Sequence, residues 1–329
     1  MNKPVLFISS FLIAILLSAC AQSAPTTLPN GDYTPTSGIT PQQEKTATFT
    51  KTAEIVNEQE APTATSTRPA PPTQTPKIEE EEESLSQASY NDLPPSELWE
   101  QWPELPVLSE EAITIYKTGI QNGTDPHAFS IFGDCQSEPD DFWGRYDDPA
   151  YELPAQYTDH QPVVDWYSGS FDRESVTVRG GTTAAAVLWA GWLDGEDHPC
   201  EFGETPLQCE LRIHNPSIVI ISLGTHWELR NGQYLRRVLD ELITAGVLPV
   251  ISTKADQREG EAWVNEEMVT IAQEYRLPVW NFWAAVQSLE NQGMLEGDPM
   301  YMNEAGLEMQ RISGLKMLDT LWKELQPNE

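Results

Sequence analysis

The chain has 329 residues and carries 51 acidic against 19 basic side chains, a formal net charge of −32 at pH 7. A surface this acidic repels phosphate backbones, which argues against any nucleic-acid-binding class. The 4 cysteines are too few for a disulfide-built scaffold of this length. The only long apolar run is at the extreme N-terminus, which excludes a multi-span membrane protein.

The N-terminus has the parts of a secretory signal. Lys3 gives a positive start, and an apolar stretch of 13 residues follows from Val5 to Leu17, interrupted only by two serines. The next residues complete Leu17-Ser18-Ala19-Cys20, which resembles the lipobox of bacterial lipoproteins. The resemblance implies a signal peptide over residues 1–20, acyl chains on Cys20, and a protein anchored to a membrane in the cell envelope, outside the cytoplasm. The alternative is an ordinary signal peptide in which the cysteine has no role.

Residues 21–95 predict a disordered tether. Within Ala61–Pro76, ten of sixteen residues are proline or threonine, and Glu79 to Glu83 is an unbroken acidic run. Such a composition cannot bury enough apolar surface to offset the entropy lost on ordering. We therefore expect a flexible, partly polyproline-II linker that spans on the order of 50 Å and holds a folded domain clear of the lipid surface.

Residues 96–329 predict one folded domain. They contain all 11 tryptophans and carry a net charge of −26, and a block of this length can bury a complete hydrophobic core. Short runs that are apolar on both faces, as in buried parallel strands, alternate with amphipathic stretches at helical spacing. The pattern predicts an α/β fold with a doubly wound parallel sheet.

The candidate strands are the segments 129–132, 174–178, 217–223, 247–252 and 278–282. Helices are predicted over 234–245, where Gly246 makes a good stop, and over 305–325 at the end of the chain. In a doubly wound sheet, ligands lie beyond the carboxyl ends of the strands. The residues just after each strand are therefore the candidate functional residues.

Four short motifs stand at these positions. They are Gly133-Asp134-Cys135, Gly180-Gly181, Gly224-Thr225-His226-Trp227 and, before the C-terminal helix, Asp298-Pro299-Met300-Tyr301. This set, in this order, resembles the SGNH (GDSL-type) hydrolase family over about residues 125–325. The resemblance implies a three-layer α/β/α sandwich around a parallel, flavodoxin-like sheet, and an activity on carboxylic esters of carbohydrates or lipids.

The resemblance also implies a role for each motif position. The nucleophile falls on Cys135, the oxyanion-hole glycine on Gly181 or Gly180, the oxyanion-hole asparagine on His226, and the triad aspartate and histidine on Asp298 and Tyr301. Asn303 and Gly306 keep the family's spacing after the last of these. The turns are retained, whereas three of the four signature side chains differ.

Tyr301 is the change with the largest chemical consequence. A serine or cysteine nucleophile needs a base to take its proton, and a phenol with a pKa of about 10 is a poor base at neutral pH. Of the five histidines, only His226 is expected at the functional edge. A Cys135–His226 thiolate–imidazolium pair is chemically sensible, since a thiol is activated more easily than a hydroxyl.

Two functions therefore remain open. The domain is either a degenerate family member that binds a glycan or envelope ligand with weak or no turnover, or an esterase. The esterase would use Cys135 as nucleophile, His226 as base or donor, and the amides of Cys135 and Gly181 as the oxyanion hole. Purely structural roles are the alternative at each position: a small buried apolar side chain for Cys135, and turn residues for Asp134 and Asp298.

The remaining features are less specific. Cys200 and Cys209 predict a loop-closing disulfide, because an exported chain meets oxidising conditions. Four tryptophans at or after strand ends either pack in the core or form a sugar-stacking platform, with Trp227 the best candidate for the platform. These four are Trp143, Trp227, Trp280 and Trp283. The sequence has no zinc motif and no phosphate-binding loop, and no cofactor or metal is predicted.

Overall fold

The computed structural model describes residues 89–193, 198–224, 230–255 and 263–326. Contacts divide the chain into Met1–Lys77 and Ile78–Glu329, and all described residues belong to the second unit. The predicted signal peptide, the lipidation site Cys20 and nearly all of the predicted tether lie outside the described residues. Tyr90 is buried, and its hydroxyl donates to the carbonyl of Leu277 at 3.2 Å, so the packed body includes residues slightly before the predicted start at 96.

A parallel sheet forms the centre of the domain. Its strands are β1 (Asp125–Gly133), β2 (Pro216–Ser222), β3 (Leu248–Ser252) and β4 (Val279–Trp280), in the order β1-β2-β3-β4. Every pairing is parallel, with Ile131 opposite Ile220, Ile220 opposite Val250, and Ile251 opposite Val279. The predicted α/β class and parallel sheet are therefore confirmed.

The predicted strand over residues 174–178 is wrong as a regular strand. Only Val178 pairs with the sheet, through an isolated parallel bridge to Gly133 at the end of β1. The hydroxyl of Thr177 donates to the carbonyl of Ile131 at 2.6 Å. In a continuous parallel ladder, this carbonyl would accept a backbone N–H instead. A turn in which the N–H of Val178 donates to the carbonyl of Ser175 bends the same segment.

Helical layers cover both faces of this sheet. Successive side chains of a strand point to opposite faces, yet every residue of β3 and the first six residues of β2 are buried. Helices lie before, between and after the strands at α1 (Glu110–Asn122), α2 (Gln161–Trp166), α3 (Pro206–His214), α4 (Asn231–Thr244), α5 (Trp263–Tyr275), α6 (Phe282–Val286) and α7 (Glu304–Leu325). The architecture is the expected three-layer sandwich.

Local signals set the ends of these elements. The helices predicted over 234–245 and 305–325 correspond to α4 and α7, and Gly246 follows α4 with a φ of +76°. The strand predicted over 278–282 is shorter than expected. Asn281 ends it, because its side chain accepts the N–H of Ala284 and so starts α6.

A small antiparallel hairpin precedes α7 and was not foreseen from the sequence. Its strands are β5 (Met294–Leu295) and β6 (Asp298–Met302), and Leu295 lies opposite Asp298. The two residues assigned to the triad, Asp298 and Tyr301, both belong to β6. The hairpin therefore decides where these residues lie.

The predicted disulfide between Cys200 and Cys209 is present. It closes the loop before α3, where Thr205 forms a capping box with Gln208. The described helices include none that is both long and apolar enough to cross a membrane.

Candidate active site

The carboxyl ends of the parallel strands bring several predicted motif positions to one edge of the sheet. Gly133 ends β1, Val178 pairs with it and leads into Gly180, and Gly224 follows β2 by two residues. His226 and Trp227, to which the sequence assigned an oxyanion and a stacking role, lie outside the described residues.

Asp134 and Cys135 form the turn that follows β1. Asp134 is buried, and its carboxylate accepts the backbone N–H of Gln136 at 3.0 Å. This contact caps a short 3-10 turn over Cys135–Ser137. Asp134 thus takes the turn-stabilising role common for aspartate, and the thiol of Cys135 is half-buried.

Gly180 and Gly181 lie beside this turn. A side-chain carbon on Gly180 would stand 3.9 Å from Cβ of Cys135, and Gly181 has a φ of +82°, a left-handed conformation that favours glycine. Among the described residues, no acceptor takes the backbone N–H of Cys135 or of Gly181. The absence of a described acceptor leaves both amides as candidates for the two donors of an oxyanion hole.

Gln136 fastens the hairpin to the Cys135 turn, a role that the sequence analysis missed. Its side-chain amide donates to the carbonyl of Met300 at 3.1 Å and accepts the N–H of Met302 at 3.3 Å. The backbone of Tyr301 is therefore held next to the turn that bears the thiol. The only sequence signal was a polar side chain directly after Cys135.

Asn303 and Gly306 keep the family spacing for structural reasons. Asn303 is the N-cap of α7, with its side chain accepting the N–H of Gly306 at 3.0 Å and donating to the carbonyl of Met294 at 3.1 Å. A side chain on Gly306 would clash with the carbonyl of Gly293. The two residues join the start of α7 to the hairpin, so their presence is no evidence of catalysis.

Asp298 and Tyr301 do not form an acid–base pair of the usual kind. The carboxylate of Asp298 accepts the N–H of Met300 at 3.3 Å, which agrees with the alternative of a turn residue. Tyr301 is 41% exposed, whereas Met300 and Met302 are buried. The phenol therefore points to the outer side of the hairpin, as the alternation of side chains along a strand requires.

Electrostatics at Cys135 oppose activation of the thiol. Burial raises the pKa of Cys135 above its ordinary value, and the negative charges of Asp134 and Glu138 raise it further. Reactive cysteines in proteins have the opposite environment, with cations or helix N-termini that lower the pKa. The described part of the turn thus favours the neutral thiol.

The described histidines have partners away from the Cys135 turn. His160 contacts the carboxylate of Asp319 at 2.8 Å, and His214 contacts the carbonyl of Phe129 at 3.0 Å. His127 contacts the carbonyl of Trp166 at 3.1 Å, and Nδ1 of His198 accepts the N–H of Cys200 at 3.2 Å. Outside 225–229, the chain therefore offers no imidazole that takes the place of the missing triad base.

A small polar cavity of about 30 Å³ lies between the Cys135 turn and the ends of β2 and β3. Its polar lining residues are Asp134, Gln136, Ser222, Ser252, Thr253, Lys254 and Gln310. Gln310 is 3% exposed, and its side-chain oxygen has no hydrogen-bond partner among the described residues. A space of this size and polarity suits one or two water molecules, and Cys135 is not among its lining residues.

Three of the four tryptophans that follow strand ends pack in the core, the first of the two roles that the sequence left open, and the fourth, Trp227, lies outside the described residues. Trp143 and Trp280 are fully buried and stacked, with ring centroids 6.4 Å apart. Trp283 is partly buried and meets Trp99 edge-on. The most exposed of the described tryptophans is instead Trp189, which is 61% exposed.

We expect Cys135 to react slowly with iodoacetamide at neutral pH. A raised pKa leaves a smaller thiolate fraction at any given pH, so the rate should rise at higher pH than it does for glutathione. The measurement is labelling against pH, followed by mass spectrometry, on the Cys20→Ala chain, in which Cys135 is the only free cysteine. A labelling midpoint below that of glutathione would contradict the neutral thiol.

Comparison with known proteins finds similarity only among solved structures. No family model and no curated protein matches the chain. A crystal structure of TesA is 16% identical, covers 61% of this chain and 98% of its own, and has a TM-score of 0.36. A GDSL-like lipase from Bacteroides thetaiotaomicron is 11% identical, covers 64% of this chain and 100% of its own, and has a TM-score of 0.39.

Proposed function

We propose that this chain is an envelope-anchored lipoprotein whose α/β domain is a divergent SGNH (GDSL-type) hydrolase-like domain that binds a glycan or another envelope ligand with little or no turnover. The anchor is the acylated Cys20, and the tether runs from residue 21 to the start of the packed body near Tyr90. The support for the anchor is the sequence alone, through the register of the positive start, the apolar stretch and Cys20.

One observation carries the loss of turnover: the hairpin held to the Cys135 turn has Tyr301 at the position of the proton acceptor, and Asp134 and Glu138 place negative charge near the thiol of Cys135. Gln136 holds the Tyr301 backbone next to the Cys135 turn, so the substitution lies at the site itself. Without a base, the neutral thiol is a weak nucleophile. The raised pKa of Cys135 acts in the same direction.

Ligand binding does not need that base. The amides of Cys135 and Gly181, which have no described acceptor, present two donors to a carbonyl, carboxylate or hydroxyl oxygen. Backbone donors at the carboxyl end of a parallel sheet are a common way to hold such an oxygen. The same donors are the observation that favours the second candidate function, an esterase with Cys135 as nucleophile.

A panel of p-nitrophenyl acetate, p-nitrophenyl butyrate and acetylated xylan separates the two functions. We expect the Cys20→Ala chain and its Cys135→Ala derivative to hydrolyse these esters equally, at the rate of the buffer control. The measurement is release of p-nitrophenol or acetate over hours. Hydrolysis that exceeds the control and disappears in Cys135→Ala would establish the esterase instead.

A further inference from the structure

A second surface of the domain has the composition of a saccharide-binding groove. It is an open groove with a volume of about 400 Å³, which is typical of small-molecule sites. Its lining residues are Thr183, Ala185, Ala186, Leu188, Trp189, Trp192, Tyr234 and Arg237. It shares no lining residue with the cavity between the Cys135 turn and the strand ends.

The aromatic part of the groove is held in place before any ligand arrives. Trp189 is 61% exposed, yet its ring lies against the backbone of Gly191, where a side-chain carbon would stand 2.9 Å from Cε2 of the indole. The guanidinium of Arg179 lies over the ring of Trp192, 5.3 Å from the centroid of that ring. Because the backbone of Gly191 restricts the ring of Trp189, ligand binding costs this side chain little conformational freedom.

The charge of the groove differs from that of the rest of the domain. The folded block has a net charge of −26, yet the residues that line the groove include no carboxylate and one cation, Arg237. The guanidinium of Arg237 lies 5.9 Å from the ring centroid of Tyr234. No described carboxylate forms an ion pair with it, in contrast to its neighbour Arg236, which bonds Glu274 at 2.7 Å.

The exposed indole of Trp189 and the guanidinium of Arg237 indicate which class of ligand the groove binds. An indole face packs well against the C–H-rich face of a sugar ring, through dispersion and the negative face of the aromatic ring. A guanidinium presents a planar fork that matches a carboxylate. We propose that this groove binds a carboxylate-bearing saccharide of the uronic-acid class, with a ring stacked on Trp189 and its carboxylate paired with Arg237. The inference deepens the proposed function and rests on it, since it gives the ligand-binding domain a ligand class.

Binding of tetragalacturonate to the Cys20→Ala chain, followed by isothermal calorimetry, tests the assignment. We expect measurable affinity, a loss of at least about tenfold in Trp189→Ala, and a loss of at least about fivefold in Arg237→Gln. For the parent chain, a carboxyl-reduced tetramer of the same length should bind more weakly than tetragalacturonate. For Arg237→Gln, the two tetramers should bind equally. Matched controls are Phe202→Ala, an exposed aromatic outside the groove, and Arg236→Gln, and both should retain parental affinity.

The failures of the two proposals are distinguishable. No binding of tetragalacturonate, unchanged affinity in Trp189→Ala, or equal affinity for the carboxyl-reduced tetramer would overturn the groove assignment. A Trp189→Ala variant that melts at the parental temperature shows that any loss is local. Ester hydrolysis dependent on Cys135 would overturn the proposed lack of turnover, whatever the groove binds.

Discussion

Replacing Tyr301 by histidine is expected to raise hydrolysis of p-nitrophenyl acetate by at least about tenfold over the parent chain. A positioned general base contributes about 10²- to 10⁴-fold in enzymes, and an imperfect geometry would give part of that. Gln136 holds the backbone of residue 301 next to the thiol turn, and the side chain at 301 is exposed, so a histidine there has room to turn toward the thiol. The measurement is initial rate against substrate concentration at pH 7 to 8.

Two variants show whether the gain comes from this base. Tyr301→Phe removes the hydroxyl without adding a base and should remain at the buffer rate. Tyr301→His combined with Cys135→Ala should lose the gained activity, because the nucleophile is absent. No gain in a Tyr301→His chain that melts normally would show that the hairpin does not present residue 301 to the thiol.

Replacing Glu210 by alanine is expected to destabilise the domain by about 3–5 kcal/mol. Glu210 lies on α3 with no exposed surface, bonds the guanidinium of Arg173, and accepts the hydroxyl of Ser130 from β1 at 2.6 Å. Its removal leaves the mostly buried guanidinium of Arg173, which is 22% exposed, without its partner. The midpoint of thermal unfolding, measured by circular dichroism, should fall by about 6–20 °C for a domain of this size.

The matched control for Glu210 is a double substitution. Replacing Arg173 by methionine together with Glu210 by leucine removes both charges, and apolar replacement of a buried ion pair is often neutral or stabilising. We expect the double variant to recover most of the loss seen in Glu210→Ala. An unchanged melting temperature in Glu210→Ala would show that the pair is solvated rather than buried.

The fold was predictable because its signals are local. The β-branched run of β2 is apolar on both faces, the α4 pattern ends at Gly246, and each of these fits within one short window of sequence. The disulfide was predictable from spacing and export. The segment 174–178 failed as a strand because the hydroxyls of Ser175 and Thr177 take backbone partners, and an apolarity pattern does not report such competition.

The candidate site was predictable only in its turns. Gly133, Gly180 and Asn303 stand where the motifs put them, since a tight turn or a cap requires particular residues at particular positions. The role of Gln136 and the stacking of Trp143 on Trp280 were not predictable, because each depends on a contact between residues more than one hundred positions apart.

The sequence by itself determined the charge, the predicted export signal, the four strands of the parallel sheet, and the presence of a tyrosine, Tyr301, where the resemblance places a triad histidine. These follow from composition, from periodicities of a few residues and from side-chain chemistry, and no distant contact changes them. Only the tertiary structure decided that the Cys135 thiol is half-buried, that Gln136 holds the hairpin with Tyr301 to the Cys135 turn, and that Trp189 and Arg237 line one groove. Proximity between distant residues is a property of the packed chain, which is fixed by burial of the whole core rather than by any one segment.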